Sequence, residues 1–480
     1  MKVAVLACLL PVIAAAAIWD PAVRLTDNTW SDYSYWSCQR RIAVDPQGRV
    51  HVAWYAMNSG LGTYKFQVYY KRWTPAAGWS ADTMISADLY AANLSCKYSS
   101  IAVDSTGRVW AIWASGPDDD AAEAIYAKSC VPGDSGNSGW DPVSRLLSTN
   151  GPEVDKNCPT IAATPDGRVH AAWLEGNYAS ILYRERIDTT WQTPVTVEGG
   201  SNYKAYPAIA AGPDNRLHLI WYGRPGSSGF YDVFYKSRTG TTWGVTEEVS
   251  FGERHQMYPS IAVNPATGNP HVLWQCYTSG NYRRAVHAWR NSGGWQPADT
   301  LSESGDTLNQ DMGQVVFTPD GVGHAVWYGK SPASPTLVQL RYAERSAAGT
   351  WSAPFNVTDT NGSKERPSIA AGNGVAPNDI HVVLTDYLPG NAEIYYFHAA
   401  PGTWVQERTT PNASRPTPAP TIVSGSFNLT PDISNLTSDI VLLDATGRRV
   451  CMLRSGPNDV SSLAPGVYFV QPGGRVLVVR

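Results

Sequence analysis

A tryptophan that returns at a nearly fixed interval constrains this chain more than any other feature. It stands at Trp19, Trp79, Trp140, Trp191, Trp243, Trp295, Trp351 and Trp404, each time followed by a polar or small residue and a β-rich run. Eight markers bound seven units, and a period of about 50 residues is the signature of an architecture that repeats one supersecondary motif.

Within each unit, alternating polar and apolar residues between turn signals mark four short strands. The first centres on Ile42, Ile101, Ile161, Ile209, Ile261, Val315 or Ile369, and a turn such as Asp45-Pro46-Gln47-Gly48 follows it. The second reads RVHVAW or a variant. The third reads VYYKRW, ILYRER or VFYKSR after a Gly/Ser/Asn-rich loop, and the fourth follows the marker tryptophan, as in WQTPVTVE. No helical period of useful length appears. Four-stranded units arranged around an axis protect the edges that an open sheet would expose. The expected fold is therefore all-β, a seven-bladed β-propeller over residues 18–409. An extra segment, Trp19 to Thr26, precedes unit one and is placed to complete the last blade; another, Trp404 to Arg408, follows unit seven.

The repeat also disposes of the histidines. His51, His170, His218, His271, His324 and His381 share one place in strand two, with Trp110 there in the second unit. A group found in nearly every blade reads as packing, with its ring nitrogen satisfied by neighbouring backbone.

The net charge of -4 offers no basic field, so no nucleic-acid partner is expected. Residues 1–17 carry one lysine, an apolar run from Val3 to Ile13 and then Ala15-Ala16-Ala17, the pattern of a secretory signal, with no transmembrane segment in the mature chain. Six cysteines remain, Cys38, Cys96, Cys130, Cys158, Cys276 and Cys451. None is spaced as CxxC, so no metal centre and no cofactor are expected, and a structural cation is left open. In an oxidising compartment some of these cysteines can pair, Cys158 among them. Residues 410–419 form a Pro/Thr-rich linker, and 420–480 read as a small β-sandwich-like domain with a hairpin turn at Asp444 to Gly447 and a new strand from Pro465-Gly466.

Two resemblances add to this reading. The turns before the marker tryptophans, SRTGTTW to Trp243, RIDTTW to Trp191 and SAAGTW to Trp351, resemble the sialidase-type (BNR, Asp-box) propeller repeat, although the central aspartate is mostly missing. That resemblance implies a site on the face opposite these turns. A sialidase-type hydrolase would need an arginine cluster for a substrate carboxylate, and Arg41, Arg254 and Arg366 are the candidates, with Glu175 as a carboxylate. The tail segments LLDATGRRV, GPNDVSSL, PGVYFV and GGRVLVVR resemble the C-terminal sorting domain of the type IX secretion system. This implies a Gram-negative bacterium, passage through that machinery, and release or display at the cell surface.

The loops from strand two to three and from strand four to one open on that opposite face and are rich in aromatic residues. Tyr35, Trp36, Tyr55, Tyr206, Tyr222, Tyr258, Tyr277, Tyr328 and Tyr387, together with Arg41, Glu175, Arg254 and Arg366, form the expected ligand-binding set. Planar rings with polar tips suit sugars or peptide anchors. The leading expectation is an exported propeller that binds a carbohydrate or protein ligand over the channel mouth. The alternatives are a sialidase-type glycoside hydrolase and a structural surface protein without a small ligand.

Overall fold

The computed structural model describes residues 18–34, 40–58, 65–117, 123–133, 139–149, 154–226, 229–250, 254–303, 308–388 and 390–400, and seven strands between 421 and 479. Two compact units divide the chain, 1–405 and 406–480.

The first unit is the seven-bladed propeller, seven antiparallel sheets of four to six strands. Blade 3 shows the plan: Lys156–Ala163, Val169–Glu175 and Ser180–Ile187 run antiparallel, and Thr190–Trp191 with Val195–Glu198 complete the outer edge. The marker tryptophan thus opens a fourth strand that is broken in two. First strands from all seven blades surround a channel of about 270 Å³ lined by small and branched residues such as Ile42, Ile101, Ile161 and Ala262. The Arg40 guanidinium enters this channel, and its Nη2 donates to the Ile261 carbonyl at 3.1 Å.

The ring closes as the segment before unit one suggested. Ile18–Trp19 and Val23–Arg24 pair with Glu393–Ala400, the third strand of blade 7, with Trp19 opposite Ala399 and Val23 opposite Tyr396. The second segment, Trp404 to Arg408, lies outside the described residues.

The strand-two histidines do belong to the scaffold, but their partner is not the backbone. In blades 1, 3, 4, 6 and 7 the Nδ1 of His51, His170, His218, His324 and His381 meets the hydroxyl of Tyr70, Tyr183, Tyr235, Tyr342 and Tyr396, each at 2.7 Å. In blade 5 His271 meets His287 at 3.0 Å. The marker tryptophan of the next blade then packs edge-on against that strand-three ring. Trp140 lies 5.0 Å from Tyr70, Trp243 5.2 Å from Tyr183, Trp295 5.1 Å from Tyr235, Trp351 4.9 Å from His287, Trp19 5.3 Å from Tyr342 and Trp79 4.9 Å from Tyr396. Blade 2 replaces the pair with Trp110, which meets Trp191 directly at 6.0 Å. A His–Tyr–Trp clamp in five blades, and its variants in blades 2 and 5, therefore tie each blade to its neighbour on the turn face.

Above the clamp, Trp54, Trp113, Trp173, Trp221, Trp274 and Trp327 are fully buried between blades. One short helix, Ala87–Ala91, interrupts the expected all-strand pattern between blades 1 and 2. Its Leu89 joins the interblade core, and Asp88 accepts from Lys128 Nζ at 2.7 Å and from Ser144 N at 2.7 Å, so local hydrogen bonding holds a turn that periodicity does not reveal. Cys96 and Cys276 carry free thiols, and no disulfide joins Cys96, Cys130, Cys158 and Cys276 to one another.

In the second unit Thr421–Val423, Arg475–Val479, Gly466–Gln471, Ile440–Asp444 and Arg449–Leu453 form a five-stranded sheet, and Ser426–Leu429 pairs with Gly456–Asp459. Ile440–Asp444 pairs antiparallel with Arg449–Leu453 on either side of the expected turn, and a strand begins at Gly466 as the Pro465-Gly466 signal suggested.

Candidate functional site

The loop face is shaped by a defect repeated in strand one. In blades 3 to 7 the register with strand two slips, between Asn157 and Thr160, Ala205 and Ala208, Met257 and Ser260, Asp311 and Gln314, and Glu365 and Ser368. The residue at each slip is left-handed: Cys158 (φ 48°), Tyr206 (48°), Tyr258 (53°), Met312 (29°) and Arg366 (57°), with Tyr98 (60°) in blade 2. Such a conformation in a bulky residue costs on the order of 1–3 kcal/mol and persists only where its surroundings enforce it. A bulge also re-aims the side chain. In blade 1, Tyr35 and Trp36 lie outside the described residues.

From blades 3 to 5 the re-aimed side chains join an aromatic cluster. Tyr206 stacks on Tyr222 at 5.8 Å, and Tyr258 meets both edge-on, at 5.2 and 5.4 Å. Tyr178 stacks on Tyr203 at 4.8 Å, and Tyr203 continues to Tyr231 at 5.3 Å. The Arg224 guanidinium covers Tyr231 at 4.6 Å and donates to its hydroxyl at 3.1 Å. His255 lies 5.1 Å from Tyr231 and 5.7 Å from Tyr277, with its Nδ1 accepting the Tyr231 backbone N–H at 3.3 Å. Burial, and then Arg224, hold the His255 imidazole below its ordinary value and so neutral near pH 7. Burial pushes the Tyr203 and Tyr222 hydroxyls up, and the neighbouring tyrosines add to it.

Tyr277 leads from this cluster into a charged one, because its hydroxyl lies against Arg283. The Arg283 Nη2 donates to Asp311 Oδ2 at 2.9 Å, with Nε 2.6 Å from Oδ1. Burial nevertheless pushes the Asp311 carboxyl up to about 6, against the pull of Arg283. Tyr328 stands directly opposite Asp311 in register, and its hydroxyl, raised by burial, feels Asp311, Arg366, Glu365 and Arg283. Arg366 Nη2 is 3.4 Å from Glu365 Oε2. Tyr387 adjoins Arg366 and Tyr33, and Tyr33 stacks on the buried Tyr55 at 6.0 Å. The result is an arc of tyrosines around the channel mouth from blade 3 to blade 1, with two arginines in its charged half.

Of the expected arginine trio, Arg41 and Arg366 are adjacent. Arg41 is buried and braces the backbone of the site: its Nη2 donates to the Arg366 carbonyl at 3.1 Å and its amide to Ser368 Oγ at 3.0 Å. Arg254 is exposed at the entry to blade 5. Its carbonyl accepts from Gln256 Nε2 at 3.3 Å. Glu175 is buried, stands opposite Lys156 in register and accepts from Trp173 Nε1 at 3.5 Å. Arg224, Tyr231, His255, Arg283 and Asp311 are absent from the sequence-derived set. Asp311 immediately precedes the bulge residue of its blade, and that bulge is the signal that points to it.

No family model matches the sequence, and no curated protein matches it. Among solved structures, a PL25 polysaccharide lyase, an ulvan lyase bound to -[GlcA(1-4)Rha3S]-, superposes with a TM-score of 0.53 at 12% identity, over 76% of this chain and 95% of that one. The polysaccharide lyase Uly1 gives 0.51 at 10% identity, over 80% and 99%. A mutant NanB sialidase from Streptococcus pneumoniae gives 0.42 at 11% identity, over 81% and 70%. The likeness to the two lyases is one of fold: carbohydrate-active enzymes are built on a propeller of this kind.

Proposed function

We propose that this protein binds an acidic polysaccharide along the loop-face arc between blades 3 and 1. The observation that carries the reading is the continuity of the arc. Half-buried tyrosine faces at Tyr206, Tyr231, Tyr258 and Tyr277 run into the paired charges of Arg283 and Arg366, so successive sugar rings can stack while a carboxylate or sulfate meets a guanidinium. The fold likeness to polysaccharide lyases supports the same class of ligand. The signal-type N-terminus and the sorting-type tail support export by the type IX route, which places such a site in contact with extracellular glycans. Microarray binding of the full chain to polygalacturonate, alginate, ulvan and neutral glucans tests the reading. Retention on the uronate- or sulfate-bearing chains alone is expected, and equal binding to neutral glucans overturns it.

A second reading, cleavage by β-elimination, is favoured by His255. A neutral imidazole beside the Tyr231 and Tyr277 rings, its proton on Nε2 because Nδ1 accepts the Tyr231 amide, offers an acid for the leaving oxygen, with a tyrosine oxygen as the base and Arg224 as the partner of the uronate carboxylate next to the proton removed. Unsaturated product, followed by ultraviolet absorbance, separates cleavage from binding alone. Sialidase-type hydrolysis has weaker support, because Arg41 is committed to the Arg366 backbone. A fluorogenic sialoside tests it directly.

A further inference from the structure

Blade 7 departs from the repeat at its turn face, and the departures meet. Two residues before the strand-two histidine, or Trp110 in blade 2, the first four blades carry Arg49, Arg108, Arg168 and Arg216; blade 7 carries Asp379. Directly across from His381 on strand three stands His398, where blades 1, 3 and 4 have Arg72, Glu185 and Ser237. The closing segment adds Asp20, whose backbone N–H donates to the His398 carbonyl at 2.8 Å.

The ligating atoms of Asp379, His381 and His398 all lie within 4.8 Å of one another. His398 Nε2 is 3.0 Å from Asp379 Oδ2, and His398 Nδ1 is 2.6 Å from Asp20 Oδ2. The His381 Nδ1 is taken by the Tyr396 hydroxyl at 2.7 Å, which leaves Nε2 as its open nitrogen. A proton shared between the two carboxylates and His398 would satisfy Asp20 and Asp379, yet it sets a cation beside the His381 ring 5.1 Å away and gives His381 Nε2 nothing. A metal ion uses all three groups at once. Side chains of His398 and Asp379 are 24% and 22% exposed, so solvent reaches the site and water can complete the coordination.

We propose that Asp379, His381 and His398 bind a divalent transition-metal ion, zinc by the chemistry of two imidazoles and one carboxylate, with Asp20 of the closing segment orienting His398. A carboxylate on the far nitrogen of a ligating histidine fixes its tautomer and raises its basicity, which is the place Asp20 holds. Because Asp20 belongs to the N-terminal closing segment, just after Ile18–Trp19, and the three ligands to blade 7, the ion fastens the seam of the ring. Metal bound to the folded chain alone stabilises it by mass action.

The test uses the full chain, stripped with chelator and titrated with zinc chloride alone by calorimetry and thermal denaturation. One zinc per chain and a raised Tm are expected, with calcium chloride inactive because a hard cation prefers an all-oxygen shell. Asp379→Asn, a partly exposed change that spares the clamp, should weaken zinc at least tenfold. Asp20→Asn should weaken it by about 10–100-fold, the usual cost of losing such an outer carboxylate. Cobalt(II) in place of zinc gives a visible spectrum that must change in Asp379→Asn, which keeps the result readable if a histidine variant fails to fold. No zinc binding by the wild-type chain, or a zinc-dependent Tm rise that survives Asp379→Asn, overturns the proposal.

Discussion

On the turn face, blades 1, 3, 4, 6 and 7 present the same histidine, the same tyrosine hydroxyl at 2.7 Å and the marker tryptophan of the following blade. On the loop face, one bulge position carries Tyr98, Cys158, Tyr206, Tyr258, Met312 and Arg366 in turn. On each face the backbone repeats around the ring; the clamp side chains repeat with it in five blades, whereas the side chain at the bulge changes from blade to blade. A group that repeats around the ring holds blades together, whereas a group that varies on a strained, repeated backbone marks the face proposed to meet a ligand. The comparison makes opposite predictions for substitutions on the two faces.

Acid gives the largest effect, and it belongs to the turn face. Burial holds His170 at about 3, His218 at about 4, His271 at about 2 and His324 at about 4. These lie below the unfolded value of about 6.5, so the unfolded chain binds more protons in that window and stability falls as pH drops below about 6.5. Each histidine contributes a slope of up to about 1.4 kcal/mol per pH unit. Urea unfolding at pH 7, 6 and 5 should show the combined loss, and a flat profile would contradict burial of these rings in the neutral form.

Next comes Trp221→Ala, which empties a fully buried interblade position and should cost about 3–5 kcal/mol in the same assay. Tyr235→Phe leaves His218 Nδ1 without its hydroxyl and should cost about 1–3 kcal/mol. Tyr277→Phe on the loop face touches no clamp and loses only a half-buried contact with Arg283, so its unfolding midpoint should move less than that of Tyr235→Phe. A loss there as large as that of Tyr235→Phe breaks the distinction between the faces.

Much of the scaffold was legible because seven copies of one pattern vote on it. The markers, the strand-two histidines and the closing segment at Trp19 follow from spacing alone. The tyrosine that receives each histidine was in plain view in VYYKRW, yet Arg72, not Tyr70, stands opposite His51; Tyr70 is the diagonal neighbour, and only cross-strand register reveals it. The helix at Ala87–Ala91 was hidden because five residues carry no period. Single tyrosines of the site were legible as loop aromatics. The Arg283–Asp311 pair was not, since its partners lie on strands of different blades and nothing local links them.

The smallest expected effect is again on the loop face. With Asp311 titrating at about 6, acid removes one negative charge beside Arg283, and affinity for an acidic chain should rise a few-fold between pH 7 and 5 while stability declines. Affinity falling in step with stability would mean that the turn face governs both.

The most direct test of the central claim is calorimetric titration of Arg366→Ala with an acidic oligosaccharide that the wild-type chain binds, beside its thermal midpoint. Arg366 is half-buried at the channel mouth and joins no clamp. We predict at least tenfold weaker binding with the wild-type Tm. Wild-type affinity in Arg366→Ala, with a normal Tm, would contradict the assignment of the loop face as an acidic-glycan site.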